Sequence, residues 1–179
     1  MGWFSPLKGA YLTLGQVDKT LPVASDELST IKRGMVLTIQ ASTDEKRPDG
    51  EWVLAGKDSD VFYVALQDYT DPTAAFAGTG FSPTEGGVPA ITGLDLGQDG
   101  EYETSVYDTA ATYVVGDKLT VVNGLLTKAG DGDVVVGFVT TAPAKRWINN
   151  AIATPVGQKD QRLATRTGAS ETVLHFRTR

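Results

Sequence analysis

Residues Thr112–Thr140, TYVVGDKLTVVNGLLTKAGDGDVVVGFVT, carry the clearest folding information in the chain. Asn123-Gly124 separates LTVV from LLTK, and a two-residue Asn-Gly loop suits a type I′ turn because both of its positions need positive φ. The spacing predicts a hairpin in which Val122 faces Leu125, Val121 faces Leu126 and Leu119 faces Lys128, with apolar pairs on both faces near the turn. A second turn, Gly130-Asp131-Gly132-Asp133, leads into Val134-Val135-Val136-Gly137-Phe138-Val139. That run is too short for a good helix and rich in β-branched residues, and reads as a core strand. Three consecutive antiparallel strands are expected.

An echo of this stretch lies upstream. Gly34-Met35-Val36-Leu37-Thr38-Ile39 matches Gly116-Asp117-Lys118-Leu119-Thr120-Val121, and Asp58-Ser59-Asp60-Val61 matches Asp131-Gly132-Asp133-Val134. The first copy is longer by about nine residues between these parts, as expected if the charged loop ASTDEKRPDG (41–50) replaces the Asn-Gly turn. The pattern predicts two similar β units, each covering an apolar face that the other cannot bury alone. Comparable positions for Leu37 and Leu119 are the test.

The remaining elements follow from local pattern. Ser25-Asp26-Glu27-Leu28 looks like a helix start, with Leu28 and Ile31 on one face and an end before Gly34. Strands are expected over Met35–Gln40, Glu51–Ala55, Val61–Leu66, Ile91–Leu96 and Glu101–Tyr107, the last with Tyr102, Thr104 and Val106 on one face. Ala142-Pro143 reads as a helix start, because proline is tolerated at the first helical position. Trp147, Ile148, Ala151 and Ile152 then fall at helical spacing, with Trp147 turned inward. Glu171–Arg177 alternates and reads as a last strand, added to the sheet or to a neighbour's edge.

With 20 glycines and 8 prolines in 179 residues, the chain reads as mainly β, a small barrel or sandwich with one or two short helices, long loops and extended termini. It fits one domain, 1–179, with an N-terminal arm (1–24), a β core (25–142) holding a Gly/Pro loop at 68–100, and a short helix with a basic C-terminal segment (143–179). Cysteine is absent, which excludes disulfides, thiol nucleophiles and thiolate metal sites. No apolar run approaches the ~20 residues that span a bilayer, and the start lacks a signal-peptide pattern. A protein made in a cytoplasm, with no membrane partner, is expected. From Pro143 onward seven Lys/Arg face two acids, a net of +5, against −11 for the rest. An acidic body disfavours nucleic acid, and unlike patches suit contacts with a partner or a second copy.

Chemistry finds little support. His175 is the only histidine, and no Gly-x-Ser-x-Gly elbow or phosphate-binding glycine loop accompanies it. The pairs Asp58/Asp60 and Asp131/Asp133 are better explained by turn formation than by a cation, which needs further oxygen ligands at set positions. No catalytic, cofactor or metal residue is assigned. The candidates are partner-binding ones instead: Trp3, Phe4 and Leu7 as aromatic and apolar anchors of the arm, and Arg146, Lys159 and Arg162 as rim charges.

The order of parts in the Thr112–Thr140 stretch resembles the head decoration, or capsid cement, proteins of tailed bacteriophages, of the phage lambda type. A short apolar strand (Leu119-Thr-Val-Val), a turn, Leu125-Leu-Thr-Lys-Ala, a Gly/Asp turn, then Val134-Val-Val-Gly-Phe-Val and Thr-Thr-Ala carry the likeness, over about thirty residues. This chain is much longer than that type, with its second unit, Gly/Pro loop and basic tail. The resemblance implies a non-enzymatic virion protein on the outer capsid surface, made in the bacterial host cytoplasm. It would bridge major capsid protein subunits as a homo-oligomer, trimer or dimer, without cofactor or nucleic acid. A tail or fibre-attachment protein and a carbohydrate-binding or carbohydrate-active β protein are the alternatives.

Overall fold

The computed structural model describes residues 4–8, 18–24, 26–27, 31–42, 44, 48–66, 90–96, 100–147 and 170–178. Among them the chain forms strands and no helix: β1 (Phe4–Lys8), β2 (Asp18–Pro22), β3 (Val36–Gln40), β4 (Glu51–Leu54), β5 (Tyr63–Ala65), β6 (Ala90–Asp95), β7 (Glu101–Thr104), β8 (Lys118–Val122), β9 (Leu125–Lys128), β10 (Gly137–Trp147) and β11 (Ser170–Thr178). They make two antiparallel sheets, β1-β7-β11-β10-β8-β9 and β2-β6-β5-β3-β4, in an open, sandwich-like arrangement. The hairpin forms as its turn chemistry requires. Asn123 and Gly124 have φ of 49° and 75°, and Val122, Val121 and Leu119 pair with Leu125, Leu126 and Lys128.

The two sheets are built on one plan. Apart from β1, each contains five strands which, numbered along the chain within the unit, lie in the order first, fifth, fourth, second, third. Leu37 and Leu119 occupy the same place in their units: Leu37 pairs with Leu54 and Tyr63, and Leu119 with Lys128 and Gly137. The backbone repeats bond by bond. Gly34 N–H donates to Ala65 O at 2.8 Å and Gly116 N–H to Val139 O at 2.8 Å, while Ala65 N–H returns to Met35 O and Val139 N–H to Asp117 O, both at 2.9 Å. Gly34 and Gly116, with φ of 88° and 91°, occupy the same position in the two turns, where a left-handed conformation suits glycine.

Side chains inside each unit diverge while volume is kept. Leu21, Val23, Ile31, Leu37, Trp52, Ala65 and Ile91 form the interior of the first unit. By register and turn position their counterparts are Thr104, Tyr107, Tyr113, Leu119, Leu126, Val139 and Leu174, all buried. Trp52 is fully buried, and its indole N–H donates to Ile91 O at 2.9 Å. Its ring lies where a side chain on Gly93 would go, 2.8 Å from an added Cβ. In the second unit the Trp52 position holds the smaller Leu126 and the Gly93 position holds buried Phe176. Close packing explains the exchange, since a core accepts neither a void nor a double occupancy.

The units are joined through the tip of the hairpin. Gly124 O accepts Val36 N–H at 2.8 Å, and Gly124 N–H donates to Ala55 O at 2.9 Å. Around this seam Val36, Ala55, Val64, Leu94 and Leu96 of the first unit merge with Leu119, Val121 and Leu126 of the second into one core. A second contact joins the matching turns Gly56–Ser59 and Gly130–Asp133: Val134 N–H reaches Lys57 O at 3.3 Å, and Lys57 Nζ lies 3.2 Å from Asp133 Oδ2.

Four expectations are corrected. The helix at Ala142-Pro143 is a strand, because β10 continues through Pro143 to Trp147 and pairs with β11. The register shifts between Thr141 and Ala144, and an irregularity of this kind tolerates a residue without an N–H; Ile148, Ala151 and Ile152 lie outside the described residues. Val134–Val136 precede the strand instead of starting it, since Val134 turns to the first unit. The aspartate match is displaced by one, with Gly56–Ser59 corresponding to Gly130–Asp133, so the longer copy exceeds the shorter by the ten residues 41–50 replacing two. The sheets are not closed barrels: single parallel bridges, Val23 to Trp52 and Tyr107 to Leu126, curl each toward its far edge without a full ladder. At the first helix site, Ile31 N–H donates to Glu27 O at 3.3 Å, and residues 28–30 lie outside the described set.

Two measurements follow. Gly116→Ala meets no atom within 4 Å and carries backbone strain alone, about 1–2 kcal/mol. Gly124→Ala adds a clash, its Cβ falling 2.7 Å from Leu54 Cδ2, and is expected to lose roughly 1–3 kcal/mol more in urea denaturation. Trp52→Leu should lose about 2–4 kcal/mol by opening a void. Adding Gly93→Phe, the second unit's own solution, should restore a substantial part of that loss, and Gly93→Phe alone should destabilise.

Candidate interaction surface

Of the aspartates that the sequence offers for chemistry, Asp133 is occupied in holding a turn. Asp133 Oδ2 accepts Gly130 N–H at 2.8 Å and Lys57 Nζ at 3.2 Å. The backbone N–H first, and Lys57 second, hold its carboxyl below the usual range. Asp117 repeats the device with Val114 N–H and Lys128 Nζ, each at 2.9 Å, and is lowered for the same reasons in the same order. In the first unit Ser59 Oγ replaces the carboxylate, accepting Gly56 N–H at 3.0 Å. Among the described residues no cluster of three or more His, Asp or Glu is arranged to hold a metal ion.

His175 has a structural setting. It lies opposite Glu103 in the β7–β11 ladder, with Nε2 3.6 Å from the buried carboxylate. The equivalent cross-strand pair in the first unit is Thr20 and Thr92, whose hydroxyls are 3.0 Å apart. One position therefore carries a neutral pair in one unit and a Glu/His pair in the other. Tyr113 anchors the loop before β8 through its hydroxyl, which donates to Asp108 O at 2.8 Å, and its ring meets Tyr107 edge-on at 5.6 Å.

The partner-binding candidates divide by position. Phe4 and Leu7 lie in β1, which pairs with β7 of its own chain at Phe4↔Thr104, and the register shift between Pro6 and Lys8 makes Leu7 the extra residue of a bulge. Arg146 lies near the end of β10, opposite Glu171. Trp3, Lys159 and Arg162 fall outside the described residues. The topology brings Phe4 and Arg146 toward one end of the six-stranded sheet, because Thr104, the partner of Phe4, also pairs with Leu174, three residues from Glu171.

At that end β10 and β11 run on together. The last described pairs of β7 and β8 with this ribbon are Thr104↔Leu174 and Lys118↔Phe138, whereas β10 and β11 stay paired to Trp147↔Ser170. Thr140, Thr141, Ala142, Ala144 and Lys145 are exposed along it, as is Thr172. The ribbon is hidden from sequence reasoning because Ala142-Pro143 satisfies the rule for a helix start. The turn at its base, where Val114 and Val115 are 56 % and 68 % exposed, was also not singled out as a surface.

No family model matches the chain, and no curated protein or solved structure does. No helix among the described residues is long and apolar enough to cross a membrane.

The buried phenols set a pH response. Burial pushes Tyr113 up to about 12, with the nearby Asp108 charge adding and a hydrogen bond from Thr127 opposing; Tyr63 and Tyr107 are raised by burial too. A phenol ionises near 10 in the unfolded chain, so the stability held by the neutral Tyr113 is complete below that pH and is lost as pH rises through about 12. Alkaline unfolding followed by phenolate absorbance should show this loss, and Tyr113→Phe should shallow it.

Proposed function

We propose that this chain is a non-enzymatic structural protein of a virion, binding the outside of an assembled capsid and stabilising it by bridging major capsid protein subunits. The resemblance of the Thr112–Thr140 stretch to capsid cement proteins supplies the identity in this reading. The observation that carries the mechanism is the shared end of the six-stranded sheet. The chain enters β1 and leaves β10 at the same end of the sheet, and the β10–β11 ribbon extends beyond the sheet there.

A sheet with one extended end suits adhesion better than turnover. The duplicated body fixes the geometry, while the chain on either side of the ribbon and of β1 offers contact area. Contacts that are weak singly become strong when many copies engage a repeating lattice, because binding after the first event is governed by effective concentration. The +5 segment from Pro143 onward, which holds the outer part of the ribbon, would add steering toward an acidic partner surface.

Co-sedimentation with undecorated capsids tests the reading. Binding at micromolar concentration is expected, and its absence would overturn it. Removing residues 1–7 should weaken binding while far-UV circular dichroism keeps its β signature. Labelled protein found at the tail by electron microscopy would replace this reading with a tail-attachment role.

A further inference from the structure

We infer that the chain self-associates by docking the Val114–Val115 turn and adjoining β10 ribbon of one copy onto the acidic paired turns, Gly56–Val61 and Gly130–Val134, of a second copy. The inference deepens the homo-oligomeric part of the proposal above, naming the surfaces involved, and it is tested without capsids.

The duplication supplies the control that singles out the turn. Val114 and Val115 occupy the turn positions that Lys32 and Arg33 fill in the first unit. The two turns share their closing hydrogen bonds, Met35 N–H to Lys32 O at 3.0 Å and Asp117 N–H to Val114 O at 3.1 Å. Lys32 and Arg33 are exposed, so this turn folds without apolar residues. Two valines at 56 % and 68 % exposure are then unexplained by folding and suit a covered surface. Gly116 N–H ties the turn to Val139 O at 2.8 Å, immediately before the exposed Thr140–Ala142. Valines and open strand backbone therefore adjoin, and the cationic positions Lys145 and Arg146 lie further along the same strand.

The chain also carries a surface of complementary character. The other exposed large apolar residues among those described are Val61 and Val134, at 45 % and 36 %. Val61 follows Asp60 and Val134 follows Asp133 on the two turns that touch between the units. Asp58, Asp60 and Asp131 are exposed there, while the local cation, Lys57, is paired with Asp133. The outer part of the ribbon belongs to a segment of net +5 and these turns to a remainder of net −11. Apolar contact flanked by opposite charge gives adhesion together with orientation, and the chain itself carries the acidic surface. A second copy is thus the occupant chosen.

Sedimentation velocity on the purified protein, without capsids, decides it. Association at micromolar concentration is expected, weakening as sodium chloride is raised because the charges are exposed. V114K/V115R gives the turn its sister's residues, so the fold should survive by circular dichroism while association falls about tenfold or more. K145E/R146E should also dissociate the protein, and mixing it with D58K/D60K should restore a heterodimer. A wild type that stays monomeric at high micromolar concentration, or folded variants that associate as wild type does, would overturn the inference. Capsid binding is judged separately by co-sedimentation, so failure here and failure there are distinguishable.

Discussion

The structure depends on two backbone hydrogen bonds made by Gly124. Its carbonyl accepts Val36 N–H and its own N–H donates to Ala55 O, so the tip of one hairpin is held between two strands of the other unit. Only a residue without a side chain fits, with Leu54 Cδ2 and Val36 O pressing on the site and φ at 75°. The same residue thus satisfies the local demand of a type I′ turn and the tertiary demand of a close approach. Once the tip is seated, the apolar face of Val36, Val64 and Leu94 meets the second unit and the shared core closes. Burying that face supplies more stabilisation than the two bonds, which contribute about 1 kcal/mol each on a net basis, but the bonds fix its register.

Duplication explains both the likeness of the units and their asymmetry. Backbone hydrogen bonds recur within 0.1 Å at the turns compared above, because strand order and turn geometry tolerate no other connection. Side chains carry the differences. The positions of Val36, Val64 and Leu94 hold Lys118, Phe138 and Arg177 in the second unit, with Lys118 and Arg177 exposed. The first unit therefore has an apolar outer face that must be covered, while the second has a charged one that resists the same cover.

The surfaces proposed for function lie where the two copies diverge. Lys32-Arg33 against Val114-Val115, Thr20/Thr92 against Glu103/His175, and a three-residue β5 against an eleven-residue β10 are changes that the common fold does not require. Of the candidate anchors, Phe4 and Arg146 are placed toward a shared end by strand pairing across the whole chain, which no local spacing encodes. The ribbon was illegible for a related reason. Ala142-Pro143 satisfies the rule for a helix start, but β11 arrives from some thirty residues downstream and pairs with it, and ladder partners outweigh a weak local preference.

By itself the sequence determined what is settled within a few residues: the type I′ turn at Asn123-Gly124, the register of its hairpin, the mainly β class, and the kinship of Gly34–Ile39 with Gly116–Val121. These follow from φ requirements and side-chain alternation, which are local. Tertiary structure alone decided that the kinship extends to five strands in one order, that Trp52 over Gly93 is answered by Leu126 under Phe176, and that the Asn-Gly tip locks the two units together. Those outcomes rest on volume and on hydrogen-bond partners distant in the chain, and become visible only when both copies are folded against each other.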